Sequence, residues 1–236
     1  MVDWIQVLEE KYGIALNDLA IERFGLYYRE LTDWNERFNL TAIRDKAGIE
    51  VKHFLDSLTI VSVAPKMPDS IIDIGTGAGF PGLALKIVWP GAKLTLVESI
   101  KKKANFCQHV VETLGLMDVH VLPQRAEEVG QHLQHREKYA LVTARAVAAM
   151  PVLLEYLLPL AKPGGLVVMQ KGENGAKEAE ESQKVMRKLG GDLKEVRQVY
   201  LPEVEGDRYL IVVSKNAHSP KEYPRATGLP AKTPLS

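Results

Sequence analysis

The apolar positions along this chain change their period near residue 70. Before it they recur every three or four residues: Phe24, Tyr27, Tyr28, Leu31, Trp34 and Phe38 form one stripe, and Val51, Phe54, Leu55 and Leu58 another. That spacing predicts amphipathic helices, with Asn17 and Asp45 placed to cap them. Pro65 and Pro68 then punctuate a turn. From Ser70 onward, short apolar runs of β-forming residues alternate with helical stretches. Strands are expected over 71–74, 94–98, 119–122, 140–143 and 166–170, and helices near 82–88, 101–114 and 152–160.

Strands that are apolar throughout need cover on both faces, which a parallel sheet with crossover helices supplies. The last two predicted strands, 195–201 and 209–214, are joined only by residues 203–207. No crossover fits there, so this pair is antiparallel. The expected fold is therefore α/β: a seven-stranded, mostly parallel sheet ending in an antiparallel hairpin, with an N-terminal helical extension. It resembles the Rossmann-like class I methyltransferase architecture. Three segments follow: a helical extension over 1–68, a core over 69–216, and a basic, Pro-containing tail over 217–236. The tail carries Lys221, Arg225 and Lys232 among prolines. It reads either as a disordered end or as a segment that orders against nucleic acid.

Composition narrows this picture only modestly. The 236 residues include 30 basic and 30 acidic side chains, so a polyanionic partner would have to be held by a local patch. A single cysteine, Cys107, forms no intrachain disulfide and fits a reducing compartment. The first ten residues lack the basic and apolar regions of a secretory signal. No apolar run approaches the ~20 residues of a membrane span. A soluble, cytoplasmic and monomeric protein is expected, with no membrane partner.

The candidate chemistry centres on the segment IIDIGTGAGFPG over 71–82. Gly75, Gly77 and Gly79 lie between a buried strand and a helix, where glycine lets the backbone turn sharply and approach a ligand. The helix that follows offers free N–H groups. Asp73 precedes the first glycine by two residues, and Glu98 ends the next strand, where a carboxylate can accept from ribose hydroxyls. Gly77, Gly79 and Gly82 also spell G-x-G-x-x-G, the dinucleotide signature, so a nicotinamide oxidoreductase stays open as a second reading. Asp73 favours a methyl donor over a dinucleotide, because its charge would repel a pyrophosphate yet suits a cofactor carrying an ammonium and a sulfonium. The expected cofactor is S-adenosyl-L-methionine. A third reading is an RNA-binding module that kept the fold without the activity.

Acceptor chemistry can be narrowed by elimination. Methylation of pyrimidine C5 usually needs a cysteine nucleophile, and Cys107 shares the apolar stripe of Ala104, Val111 and Leu114. Exocyclic amines commonly use an Asn/Asp-Pro-Pro-aromatic loop after the fourth strand, where this chain reads TARA over 143–146. A ring nitrogen such as guanine N7 carries an in-plane lone pair and has no proton to lose. Its methylation needs alignment rather than a general base. Arg145 could position the guanine edge or the cofactor carboxylate, or simply form an ion pair at the strand end.

Other polar groupings carry less. His53, Asp56 and Ser57 project in parallel from one helix and cannot make a catalytic triad; a polar helical surface is expected there. His132 and His135 lack accompanying cysteine or carboxylate ligands, so a solvated helical face is expected and no metal site. Residues 101–103, three consecutive lysines, read equally as a solvated helix start and as a phosphate-binding rim.

Six segments taken together resemble one family: WNERFNLT (34–41), HFLDSL (53–58), DIGTGAGFPG (73–82), RAE (125–127), TARAV (143–147) and PRATGLPAK (224–232). In this order they are similar to the bacterial ribosomal RNA small-subunit methyltransferase G family, also called glucose-inhibited division protein B. The resemblance implies N7 methylation of one guanine in small-subunit (16S) ribosomal RNA, with the RNA or the small ribosomal subunit as partner. It places cofactor contacts on Gly75, Phe80, Ala126, Glu127 and Arg145. Asp73 and the glycine loop would hold the methionine end, Glu98 the ribose, and Ala126 with Glu127 the adenine edge. After Gly82 this chain reads Leu-Ala-Leu where many members have Ile-Pro, a small packing departure.

Overall fold

The computed structural model describes residues 3–64, 66–145 and 147–236. Two positions used above, Pro65 and Ala146, lie outside the described residues. The N-terminal stripes fold as helices: α1 (Trp4–Tyr12), α2 (Asp18–Phe38) and α3 (Lys46–Ile49). The last runs on through a π-helical stretch, Glu50–Leu55, into α4 (Asp56–Leu58). Asn17 caps α2 by accepting from Ala20 N at 2.9 Å, and Asp45 caps α3 by accepting from Gly48 N at 2.7 Å. Both caps stand where the sequence puts them.

The remainder follows the βα alternation: β1 (Ser70–Ile74), α5 (Gly82–Val88), β2 (Lys93–Val97), α6 (Lys101–Thr113), β3 (Val119–Leu122), α7 (Ala126–Gln131) and β4 (Tyr139–Arg145). Then come α8 (Met150–Leu157), β5 (Ala161–Lys171), α9 (Gly175–Glu181), α10 (Gln183–Lys188), β6 (Gly191–Val199), β7 (Arg208–Lys215) and α11 (Leu229–Lys232). The seven strands order as β3-β2-β1-β4-β5-β7-β6. The pairs from β3 to β5 are parallel, and β7 inserts antiparallel between β5 and β6. This is the Rossmann-like sheet that the apolar strands and the short 203–207 connection predict.

Side chains alternate across the sheet. In β7, Leu210 and Val212 join the core beneath the N-terminal helices, while Ile211 and Val213 join the one beneath α8 to α10. Trp4, Phe24, Tyr27 and Phe54 share a core with Leu83, Leu94 and Leu141, so the N-terminal helices bury their stripe directly on the sheet side that carries α5. The tail is folded rather than a disordered end: it packs on α7 and α8. Arg225 closes on Glu155, whose side chain is fully buried, with Nη2 to Oε2 at 2.7 Å. Among the described residues no helix is long and apolar enough to cross a membrane.

Candidate functional site: a cleft at the strand-order reversal

Strand order reverses at β1, which lies between β2 and β4, and loops after such strands splay apart to open a crevice. The glycine loop lies there. Gly75 N donates to Val97 O at 2.8 Å, and Gly77 N donates to Glu98 Oε2 at 3.0 Å. The other oxygen of Glu98 accepts from Ile100 N at 2.8 Å, so this carboxylate ties the loop to the start of α6. A cleft of about 220 Å³ follows. Ile74, Val97, Ala126 and Val152 supply apolar walls; Glu98 and Glu127 supply carboxylates, against the guanidinium of Arg125. An apolar slot lined by two acids suits an adenosine: ring between the walls, hydroxyls and amine toward the acids. It does not suit a pyrophosphate. The residues present therefore fit S-adenosylmethionine.

Asp73 is not in the cleft. It is fully buried behind the loop, where Oδ2 accepts from Thr76 Oγ1 at 2.5 Å and from Gly82 N at 2.8 Å. Oδ1 is buried without a hydrogen-bond partner. Burial pushes this carboxyl up to about 6, against the opposing bonds from Thr76 and Gly82. Its position makes Asp73 a brace for the loop rather than a contact for the methionine end. The same bond changes the expectation for the following helix. Gly82 N–H is taken by Asp73 and Leu83 N–H by Gly79 O, so neither faces a ligand.

The loop glycines likewise divide by what lies beside them. A Cβ on Gly79 would come within 2.5 Å of the Tyr27 hydroxyl and hard against Leu83, so that glycine serves packing. A Cβ on Gly75 would meet Val147 Cγ2, at 2.7 Å, and Gly75 and Val147 both line the cleft. Cys107 is buried, its Sγ 3.5 Å from Gly77 O, and burial pushes its thiol far up. That matches its expected core position and leaves no thiolate nucleophile.

Arg145 and Phe80 lie on the far side of the β4 terminus. Phe80 stacks between Tyr27 and His53, at centroid distances of 5.0 and 4.7 Å, with the Arg145 guanidinium 5.3 Å from its ring. Arg145 Nη1 donates to Lys52 O and to Asp56 Oδ2, each at 2.9 Å, and Nη2 lies 3.1 Å from His53 Nδ1. The strand-end ion pair thus exists, and it ties β4 to the π-helical stretch. Burial lowers the His53 imidazole to about 3, with Arg145 adding to the shift, so it stays neutral. Burial also pushes the Asp56 carboxyl up, opposed by Arg145.

Lys52, His53, Asp56 and Arg145 line a second cavity, of about 370 Å³. Gln170 and Lys171 come from the end of β5, Arg208 and Tyr209 from the start of β7. Here the structure corrects the expected polar surface: His53 and Ser57 are buried, and Asp56 faces the cavity with Arg145. The three do project from one helix as the spacing requires, but inward. His132 and His135 sit in turns after α7 rather than on a helical face; His135 Nδ1 lies 2.7 Å from the Tyr139 hydroxyl. Of the three lysines, Lys102 donates to Phe38 O at 2.9 Å.

The cleft thus gathers Gly75, Glu98, Ala126 and Glu127, with Gly77 bonded behind Glu98. Among the residues missed are Val147, Tyr156 and Ala231 in the cleft, and Gln170, Lys171, Arg208 and Tyr209 in the cavity. Gln170 and Lys171 had a signal, since they follow the apolar run 166–169 at the end of β5. Arg208 and Tyr209 had none, because the chain does not say which hairpin strand pairs with β5, and it is β7 that inserts there.

Fold and cleft together define a Rossmann-like methyltransferase architecture. Solved structures agree on that fold: a SAM-dependent methyltransferase from Aquifex aeolicus superposes with TM-score 0.55 at 18% identity, covering 74% of this chain and 96% of that one. A ribosomal protein L11 methylase from Lactobacillus delbrueckii subsp. bulgaricus gives TM-score 0.54 at 14% identity, covering 70% and 79%. The family model for rRNA small subunit methyltransferase G matches residues 20–206. Ribosomal RNA small subunit methyltransferase G of Halalkalibacterium halodurans is 44% identical, covering 100% of this chain and 99% of its own length. The Roseiflexus sp. (strain RS-1) protein of the same name is 48% identical over 95% of each chain. This chain belongs to the rRNA small subunit methyltransferase G family.

Proposed function

We propose that this protein transfers a methyl group from S-adenosylmethionine to N7 of a guanine in small-subunit (16S) ribosomal RNA, in the cytoplasm. The observation that carries the reading is the pairing of two hollows across the end of β4: an acid-flanked apolar cleft and a cavity bordered by Lys52, Lys171 and Arg208. The first suits the methyl donor. The second suits a nucleotide, with cations for phosphate and a volume of about 370 Å³. Family membership supplies the RNA.

When bound, S-adenosylmethionine supplies an electrophilic methyl group. The chain's own part is alignment. Glu98 and Glu127 orient the adenosine end, and the loop braced by Asp73 fixes how close a ligand approaches. Arg145, held by Lys52 O, Asp56 and His53, gives the acceptor cavity a fixed guanidinium at the end of β4. Guanine N7 attacks through its own lone pair and loses no proton, so neutral His53 and buried Cys107 need do nothing in the step. Mass mapping of nucleosides in 16S rRNA from a strain lacking this protein tests the assignment. One 7-methylguanosine should disappear and return on complementation; an unchanged content would overturn it.

A further inference from the structure

The tail motif PRATGLPAK has no part in that account, and the family match at 20–206 ends before it. Its placement is specific. The chain before it and its first residue are anchored on the core: Arg136 Nη2 donates to Ser219 O at 2.9 Å and to Pro220 O at 3.0 Å, and Gln131 Nε2 donates to Pro224 O at 2.7 Å. Arg225 then grips Glu155 through its backbone N at 2.8 Å, Nε at 2.9 Å and Nη2 at 2.7 Å. Beyond this clamp the chain crosses to the cleft. Gly228 N donates to Glu127 Oε1 at 2.9 Å, and Ala231 becomes part of the cleft wall. Arg225 Nη2 also donates to Thr233 O at 2.8 Å, which pins the far end of the crossing.

We propose that residues 228–231 form one wall of the adenosine end of the cofactor site, so that the tail closes over the ligand and slows its release. The inference rests on the cleft holding S-adenosylmethionine. Glu127 is the shared element. It is 6% exposed, one oxygen serves the tail, and the residue lines the cleft beside Tyr156. A ligand group bonded to Glu127 and the Gly228 N–H therefore draw on one carboxylate, while Ala231 adds apolar contact that exists only with the tail in place. Ligand and tail then order each other, and the coupling is reciprocal: whatever the tail adds to ligand affinity, the ligand returns as protection of the tail.

The full-length chain and its Gly228→Pro variant provide the test. Proline removes the donor and cannot adopt the φ of +84° found at Gly228, so it releases the crossing while leaving the Arg225 clamp. S-adenosylhomocysteine serves as the probe, in calorimetry and stopped-flow dissociation. The variant is expected to bind about tenfold more weakly, through faster dissociation. In the unmodified chain, amide hydrogen exchange over 226–236 is expected to slow on adding the probe. If the full chain binds no S-adenosylhomocysteine, the reading of the cleft itself fails. If it binds, but exchange over 226–236 and the variant's affinity stay unchanged, the cleft reading stands and the tail wall is overturned. Should the variant misfold, the exchange measurement on the unmodified chain decides alone.

Discussion

Two alanine substitutions four residues apart separate the glycines that face a ligand from those that only pack. Gly75 and Gly79 have φ values of +67° and +94°, so alanine at either costs about 1–2 kcal/mol of backbone strain. Their surroundings then diverge. At Gly75 the new methyl meets Val147, which is 36% exposed and free to turn away. At Gly79 it meets Tyr27 and Leu83, both 0% exposed and packed on every side, which adds about 1–3 kcal/mol of overpacking. Gly75→Ala should therefore lower stability by about 1–2 kcal/mol, and Gly79→Ala by about 2–5 kcal/mol. Ligand affinity should follow the opposite order. Gly75 lines the cleft, and its methyl narrows the slot, so S-adenosylhomocysteine should bind more than about tenfold less tightly. Gly79→Ala, where still folded, should bind with less loss. Urea unfolding followed by Trp4, Trp34 and Trp89 fluorescence measures the first quantity, and calorimetry the second. The reasoning is refuted if Gly79→Ala is no less stable than Gly75→Ala, or if Gly75→Ala keeps full affinity.

Arg145→Ala should destabilise by about 3 kcal/mol, because it leaves the Asp56 carboxylate, 13% exposed, without its cation. Arg145→Lys should recover less than half of that in the same urea assay, since one ammonium cannot reach Asp56, Lys52 O and His53 together. Two buried groups give opposite pH responses. His53, lowered from 6.5 to about 3, favours the fold above pH 6.5, and that contribution is lost as pH falls toward 3, by about 1.4 kcal/mol per unit. Asp73, raised from 3.8 to about 6, favours the fold below 3.8, and its contribution is lost as pH rises through 6. Between pH 4 and 6 the two slopes oppose, so His53→Gln should flatten the acid loss of stability and Asp73→Asn should steepen it; identical curves would refute both assignments. Arg225→Ala should cost about 3 kcal/mol by stranding the fully buried Glu155 carboxylate, which a thermal melt would register as a fall of roughly 6–12 °C.

Some of the site is legible in the amino-acid sequence, and the reason is locality. Period-two and period-3.6 patterns are properties of neighbouring residues, so the caps at Asn17 and Asp45, the strands from β1 to β5 and the antiparallel ending follow from the chain alone. The glycine loop follows too, because a sharp strand-to-helix turn writes itself in consecutive residues, and Glu98 is readable as the acid ending the next strand. What the chain could not state is direction. Asp73 alternates to the face behind the loop, so the acid expected to meet a ligand braces the backbone instead. His53, Asp56 and Ser57 share a helical face as their spacing demands, but only packing against Phe80 and Arg145 decides that this face is inward. Arg208 reaches the end of β5 because β7, and not β6, takes the place beside it. The tail, polar and rich in proline, has no pattern of its own to mark it as ordered. It folds because a buried carboxylate 70 residues earlier, Glu155, needs the guanidinium of Arg225, and a pairing across that distance exists only once the tertiary structure has brought the two together.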